Sequence, residues 1–361
     1  MVVVSSPTAI SSLLKDTSGA FEAITIDSAH ILSGGNVGKD RIFYVYSTLM
    51  GRASRHVYRA MMPSNLLPIS SRFTQDFLKE LNRLDLSASH ASLHEFVRRM
   101  MYNASSTAFF GPNFPLNTYD DFMIFDHGAP LLIRHLGIFA GSATAARDAM
   151  YKAWNQHMVG NWISEESGHL EGAVSMMTNL YRELNETDLT PEEISRLIGL
   201  LIWTIHSNVL VLATWVMCHL LTNKNTYTSV CQEIRAYVDQ KFPYIEAIAE
   251  IDLKTLEGDN FPLLNSFIRE VIRTKTSMGI HRLATRDAVI KGDNQKEILI
   301  RKGEMVFANI PGMHYSSRLH PEPDVFKADR FVEEKESYKS YTFGMGRHAV
   351  RVFVFCVHWK I

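Results

Sequence analysis

The chain opens on three β-branched residues, Val2–Val4, and then changes period. Ser6 followed by Pro7 is a helix-start pair, and Ile10, Leu13 and Leu14 behind it share one helical face. Asp16 to Gly51 shows no sustained period, with Ser33-Gly34-Gly35 as a loop. Helical spacing then takes over. Phe73, Phe77, Leu81 and Leu84 recur every three or four residues, as do Leu93, Phe96, Val97, Met100 and Met101, and Gly111-Pro112 breaks the second helix. Further helical stretches are predicted around Ala143–Trp154 and Glu171–Leu184, over Thr226–Gln240, and from near Pro262.

Thr190-Pro191-Glu192-Glu193 predicts a helix start, with Thr190 as cap, Pro191 at the first helical position and Glu193 closing a capping box. Behind it, Leu197–Asn223 runs 27 residues without Asp, Glu, Lys or Arg. By length that is a transmembrane candidate. Trp203, Thr204, His206, Ser207, Asn208 and Thr214 in its middle favour a helix buried in a globular core, because hydrocarbon penalises such groups. After Gly279 the texture is β-like: Val289–Lys291, Ile298–Ile300 and Met305–Phe307 read as short strands joined by glycine turns. A mainly α chain with a small β region late in the sequence is an α+β arrangement in a single domain, residues 1–361.

Composition narrows the function. Hydrophobic residues make up 46% and charged residues 21%, enough for a sizeable core and too ordinary for a disordered chain. A formal net charge of -1 argues against nucleic acid as a partner. Three cysteines, Cys218, Cys231 and Cys356, are too few and too scattered for a disulfide framework. No signal peptide is visible, and the sequons at Asn103 and Asn185 read as chance matches.

Glu270 and Arg273 lie three apart on a predicted helix and are placed to pair. Alone that is a surface salt bridge. Its context is more specific: His281-Arg282-Leu283 follows, then Phe326-Lys327-Ala328-Asp329-Arg330-Phe331, then Phe343-Gly344-Met345-Gly346-Arg347-His348-Ala349. In this order and spacing the segments resemble the C-terminal half of a cytochrome P450. Trp203-Thr204-Ile205-His206-Ser207-Asn208 is similar to the central helix of the sterol 7-alpha/12-alpha-hydroxylase and prostacyclin synthase branch, and Val2–Pro7 to the family's first strand and helix. A dinucleotide reading of Gly344-x-Gly346-x-x-Ala349 fails, because β-like residues follow where a helix is required.

The resemblance implies heme as cofactor, a lipophilic substrate such as a sterol or fatty acid, and NADPH-cytochrome P450 reductase as electron donor. The reaction implied is that of a heme-thiolate monooxygenase, with a P450-type isomerase as a variant. It implies a structural charge triad of Glu270, Arg273 and Arg330. Arg282 and His348 would meet heme propionates, beside Phe343, Gly344 and Gly346 of the ligand loop. Asn208 and His206 would lie on the oxygen side, as catalytic candidates. The position of the iron-binding cysteine holds Val350, Val352 stands for a following glycine, and Val209 replaces a threonine that delivers protons. Valine has no lone pair for iron, so the metal site is expected to be absent and the product inactive. The N-terminal anchor, the ligand loop and the last helix of the family find no counterpart, so the fold is expected to be incomplete. Full-length relatives would sit in the endoplasmic reticulum membrane; without an anchor this chain would be cytoplasmic.

Overall fold

Ser6 adopts an extended backbone and its hydroxyl accepts from Ala9 N at 3.3 Å, which starts helix α1 (Pro7–Leu14) directly behind strand β1 (Val2–Val4). A computed structural model describes residues 1–16, 18–23, 25–45, 63–82, 92–161, 173–242, 260–333 and 341–342. The segment without sequence period holds short elements: β2 (Phe21–Ala23), α2 (Thr25–Leu32) and α3 (Lys39–Tyr44). The long helices follow as α4 (Pro63–Asn82), α5 (Leu93–Phe110), α6 (Tyr119–Ile133), α7 (Gly141–Asn161), α8 (Ala173–Asn185), α9 (Pro191–Thr222), α10 (Lys224–Lys241) and α11 (Pro262–Lys275). Strands β3 (Ile280–Ala284), β4 (Ala288–Lys291), β5 (Glu297–Ile300) and β6 (Met305–Ala308) precede a last short helix, α12 (Ile310–His314). The mainly α architecture with a small β region is the expected class.

The described residues gather into two units. One draws on Met1–Thr25, His219–Ile234 and Gly258–Ile361. Its four-stranded sheet has the order β1-β6-β3-β2, with β1 parallel to β6 and the other pairs antiparallel, and β4 and β5 form a separate hairpin. The apolar face of α1 (Ile10, Leu13, Leu14) belongs to one buried cluster with Ile290, Ile300, Val306 and Ala308. That burial is what holds such short strands, which would not be stable alone.

The other unit draws on Ile26–Cys218 and Arg235–Glu257. Its core is aromatic: Tyr102, Phe110, Phe122 and Trp154 are fully buried. The Thr118 hydroxyl lies 2.8 Å from the Tyr102 hydroxyl and accepts from the Trp154 indole at 3.0 Å, so both polar tips are satisfied inside that core. Helix α9 begins as expected. Thr190 N donates to Glu193 Oε2 at 2.8 Å, and Glu193 N donates back to the Thr190 hydroxyl at 3.3 Å. Among the described helices α9 alone is long and apolar enough to cross a membrane, and 56% of its most apolar window is buried inside the fold. Gly199 lets α9 approach Tyr151 of α7: a Cβ there would lie 2.8 Å from the tyrosine ring.

Candidate functional site

Helix α11 buries its apolar stripe (Leu264, Phe267, Ile268, Val271) and carries Glu270 and Arg273 inward with it. A carboxylate from elsewhere sets the start of that helix: Glu233 of α10 accepts from Leu263 N at 2.8 Å and Leu264 N at 2.9 Å. Nothing in the sequence marks this long-range cap.

Glu270 and Arg273 form a two-pronged pair, at 2.7 Å to Oε2 and 2.8 Å to Oε1, and both are 0% exposed. Arg330 Nε donates to both Glu270 oxygens at 3.0 Å, and Lys327 N adds a fourth donor at 3.0 Å. One carboxylate thus serves two guanidinium groups. The surplus N–H groups go to carbonyls: Arg273 to His314 O at 2.9 Å, Arg330 to Pro321 O at 2.5 Å, Val325 O at 2.6 Å and Glu322 O at 3.1 Å. Burial pushes the Glu270 pKa up, but Arg273, Lys327 N and Arg330 outweigh it, and the carboxyl is held below its ordinary value. This cluster clamps the segment around Phe326–Phe331 to α11, reinforced by Phe331 N donating to Ser266 Oγ at 2.8 Å. No acid or base in it is free to exchange a proton with a substrate, so its role is to hold structure.

Arg282 sits in the middle of β3, opposite Val306 on β6 and Ala23 on β2. It is 6% exposed, and burial alone pushes its pKa down. Its guanidinium donates to His281 O at 2.9 Å and meets no carboxylate among the described residues. A buried cation in that state suits an anionic group such as a heme propionate. The other residues expected around the cofactor, Phe343, Gly344, Gly346 and His348, lie outside the described residues, as does Val350. Among the described residues Arg282 fits a carboxylate such as a heme propionate, and no cluster of metal-ligating side chains occurs among them.

The expected oxygen-side pair divides. His206 is 1% exposed and lies against Tyr102, Phe110 and Phe122, with ring centroids 4.8, 5.5 and 5.8 Å away. Its Nδ1 donates to Ile202 O at 2.9 Å and its Nε2 accepts from the Ser106 hydroxyl at 3.0 Å. Burial pushes its pKa down to about 4. With both nitrogens engaged in the core, His206 ties α9 to α5 as a packing residue. Asn208 is exposed and donates to Thr204 O at 3.1 Å, the helix-internal alternative for this side chain. Phe109 and Phe110 are both 0% exposed and belong to the core.

Trp203 has a role that spacing did not reveal. Its indole donates to Asp126 of α6 at 3.1 Å, and Arg98 of α5 stands 3.9 Å from the same carboxylate. Burial raises the Asp126 pKa against the pull of Arg98 and Trp203. The signal available in sequence was the tryptophan itself, whose N–H needs an acceptor when buried.

Comparison with known proteins bears on the whole arrangement. The family model for cytochrome P450 matches residues 1–349. Cytochrome P450 7A1 of Oryctolagus cuniculus is 22% identical over 267 residues, covering 70% of this chain and 51% of the relative. The 7-alpha-hydroxycholest-4-en-3-one 12-alpha-hydroxylase of Homo sapiens is 25% identical over 179 residues, 49% of this chain and 35% of the relative. Prostacyclin synthase of Rattus norvegicus is 25% identical over 171 residues, 46% and 34% respectively. The matches thus span about half the length of these curated relatives or less. Among solved structures, retinoic acid-bound cyanobacterial CYP120A1 superposes with a TM-score of 0.72 at 20% identity, covering 99% of this chain and 79% of its own.

Proposed function

The chain belongs to the cytochrome P450 family, and from that premise we propose that it carries the body of a monooxygenase for a lipophilic substrate, a sterol or fatty acid, without the iron ligand the reaction needs. Relatives named as sterol 12-alpha- and 7-alpha-hydroxylases support the substrate class. The family match runs through both units, which supports reading residues 1–361 as one P450-like domain. On this reading the lineage works at the endoplasmic reticulum membrane with NADPH-cytochrome P450 reductase, and heme is its cofactor. Bound heme with a thiolate ligand supplies the activation of molecular oxygen. This chain's own contribution is limited to what its residues hold: Arg282 offers a carboxylate partner, and the Glu270 cluster keeps the neighbouring segment in place.

The reading rests on Val350, which stands where the family resemblance expects the iron-binding cysteine. The test is the absorption spectrum of the full chain mixed with heme, reduced and exposed to carbon monoxide. No thiolate-type Soret band is expected. A thiolate-type band would overturn the reading.

A further inference from the structure

Strands β4 and β5 form a hairpin whose two edges are unlike. Lys291 N, on β4, donates to the Ser12 hydroxyl of α1 at 2.9 Å, so that edge is partly covered. The ladder itself fixes which groups of β5 look outward. Gly292 N donates to Lys296 O at 2.7 Å, and bonded and unbonded pairs alternate along an antiparallel ladder. The bonded pairs are then Ile290 with Ile298 and Ala288 with Ile300, so Glu297 and Leu299 turn their N–H and C=O groups away from β4. Among the described residues no other strand pairs with that edge.

The side chains along β5 are complementary to themselves when the strand is reversed. Glu297, Leu299 and Arg301 share the exposed face, with Leu299 58% exposed beside its ladder partner Val289 at 52%. Neither Glu297 nor Arg301 has a side-chain hydrogen bond or ion pair among the described residues. On the other face Ile298 and Ile300 flank the same centre. Laid antiparallel on a second β5 with Leu299 opposite Leu299, the strand sets Glu297 against Arg301 at both ends and Ile298 against Ile300 between them. A slip of one residue would bring the exposed face of one copy beside the covered face of the other.

We propose that β5 is a self-recognition edge, to which a second copy of this chain adds its own β5 antiparallel across a two-fold axis through Leu299. The central pair exchanges two backbone hydrogen bonds, and the two Glu297–Arg301 pairs select the register. A foreign strand is the poorer match, since it must bring the same acidic, apolar and basic order that a second copy carries by construction. Lys296 and Lys302 oppose each other just beyond the strand ends, and one strand pair falls short of the roughly 800 Å² per side of a standard interface. The association is therefore weak and concentration-dependent. It uses neither Arg282 nor the Glu270 cluster, so it stands apart from whether the chain binds heme.

The test is the mass of the full chain in solution, by sedimentation over rising concentration. Wild type is expected to climb from the mass of one chain toward that of two. Glu297→Arg and Arg301→Glu each set like charges against one another twice and should weaken association about tenfold or more. Both side chains are exposed, so neither change disturbs the fold. The two variants mixed in equal amounts should recover association, because each then meets its complement. Leu299→Lys, with like charges at the centre, should abolish it. A single-chain mass at every concentration would leave the edge to a foreign strand and overturn the proposal. Association unchanged in any of the three variants, or no recovery on mixing, would overturn it as well.

Discussion

Glu270 answers four donors inside the protein, so its removal strands charge rather than merely deleting a contact. Glu270→Gln leaves Arg273 and Arg330 buried without a counter-charge and should lower unfolding free energy by about 3–5 kcal/mol, read by denaturant titration. The pH dependence follows from its sign. A carboxyl held below its ordinary 4.5 contributes stability that is present above that value and lost as pH falls through its lower native pKa. His206 acts at higher pH. It is neutral in the fold down to about 4, whereas the unfolded imidazole takes a proton near 6.5. The unfolded state therefore binds more protons between those values, and stability should fall by on the order of 3 kcal/mol as pH drops across them. Unfolding titrations of wild type and His206→Leu across this range check it. The variant should show a shallower slope, whatever its stability at neutral pH.

At the scale of elements, what was legible in the sequence was local chemistry. The Ser6-Pro7 start, the Thr190–Glu193 box and the Gly111 stop (φ 98°) all involve residues within four positions of one another, and each stands where expected. Strand β2 was not legible, because three residues carry no period and its ladder partner, β3, lies far along the chain. Nor was the orientation of α9: with apolar residues on every side, periodicity could not say that His206 turns toward Tyr102. Gly199 shows how tightly that helix is seated. Gly199→Ala improves helix propensity by about 1 kcal/mol, yet its methyl would stand 2.8–2.9 Å from three Tyr151 ring atoms. A net loss of about 1–2 kcal/mol is expected from the overpacking. Gly141→Ala, where the added methyl meets nothing within 4 Å, serves as control, and thermal unfolding of the two variants distinguishes them.

Across the whole chain, family membership was readable from four weak motifs in order, because a shared architecture conserves their sequence rather than any one of them. Which of them are sites was less readable. The triad could be anticipated from Glu-x-x-Arg and a distant arginine, but the carbonyls that hold Arg330 are invisible to spacing. On the proposed function, Val350 works the other way: a single letter would bear on the chemistry while residues 1–349 match the family.

Arg282 has a consequence for how such a chain can be studied. A buried guanidinium whose partner among the described residues is the His281 carbonyl raises the free energy of the native state, and a carboxylate brought to it would lower that free energy again. If Arg282 takes an anion as proposed, folding and anion binding are linked, and a ligand at about a hundred times its Kd would shift unfolding by about 2.7 kcal/mol. The melting temperature measured with and without an added carboxylate would then test that proposal, and the test needs no iron.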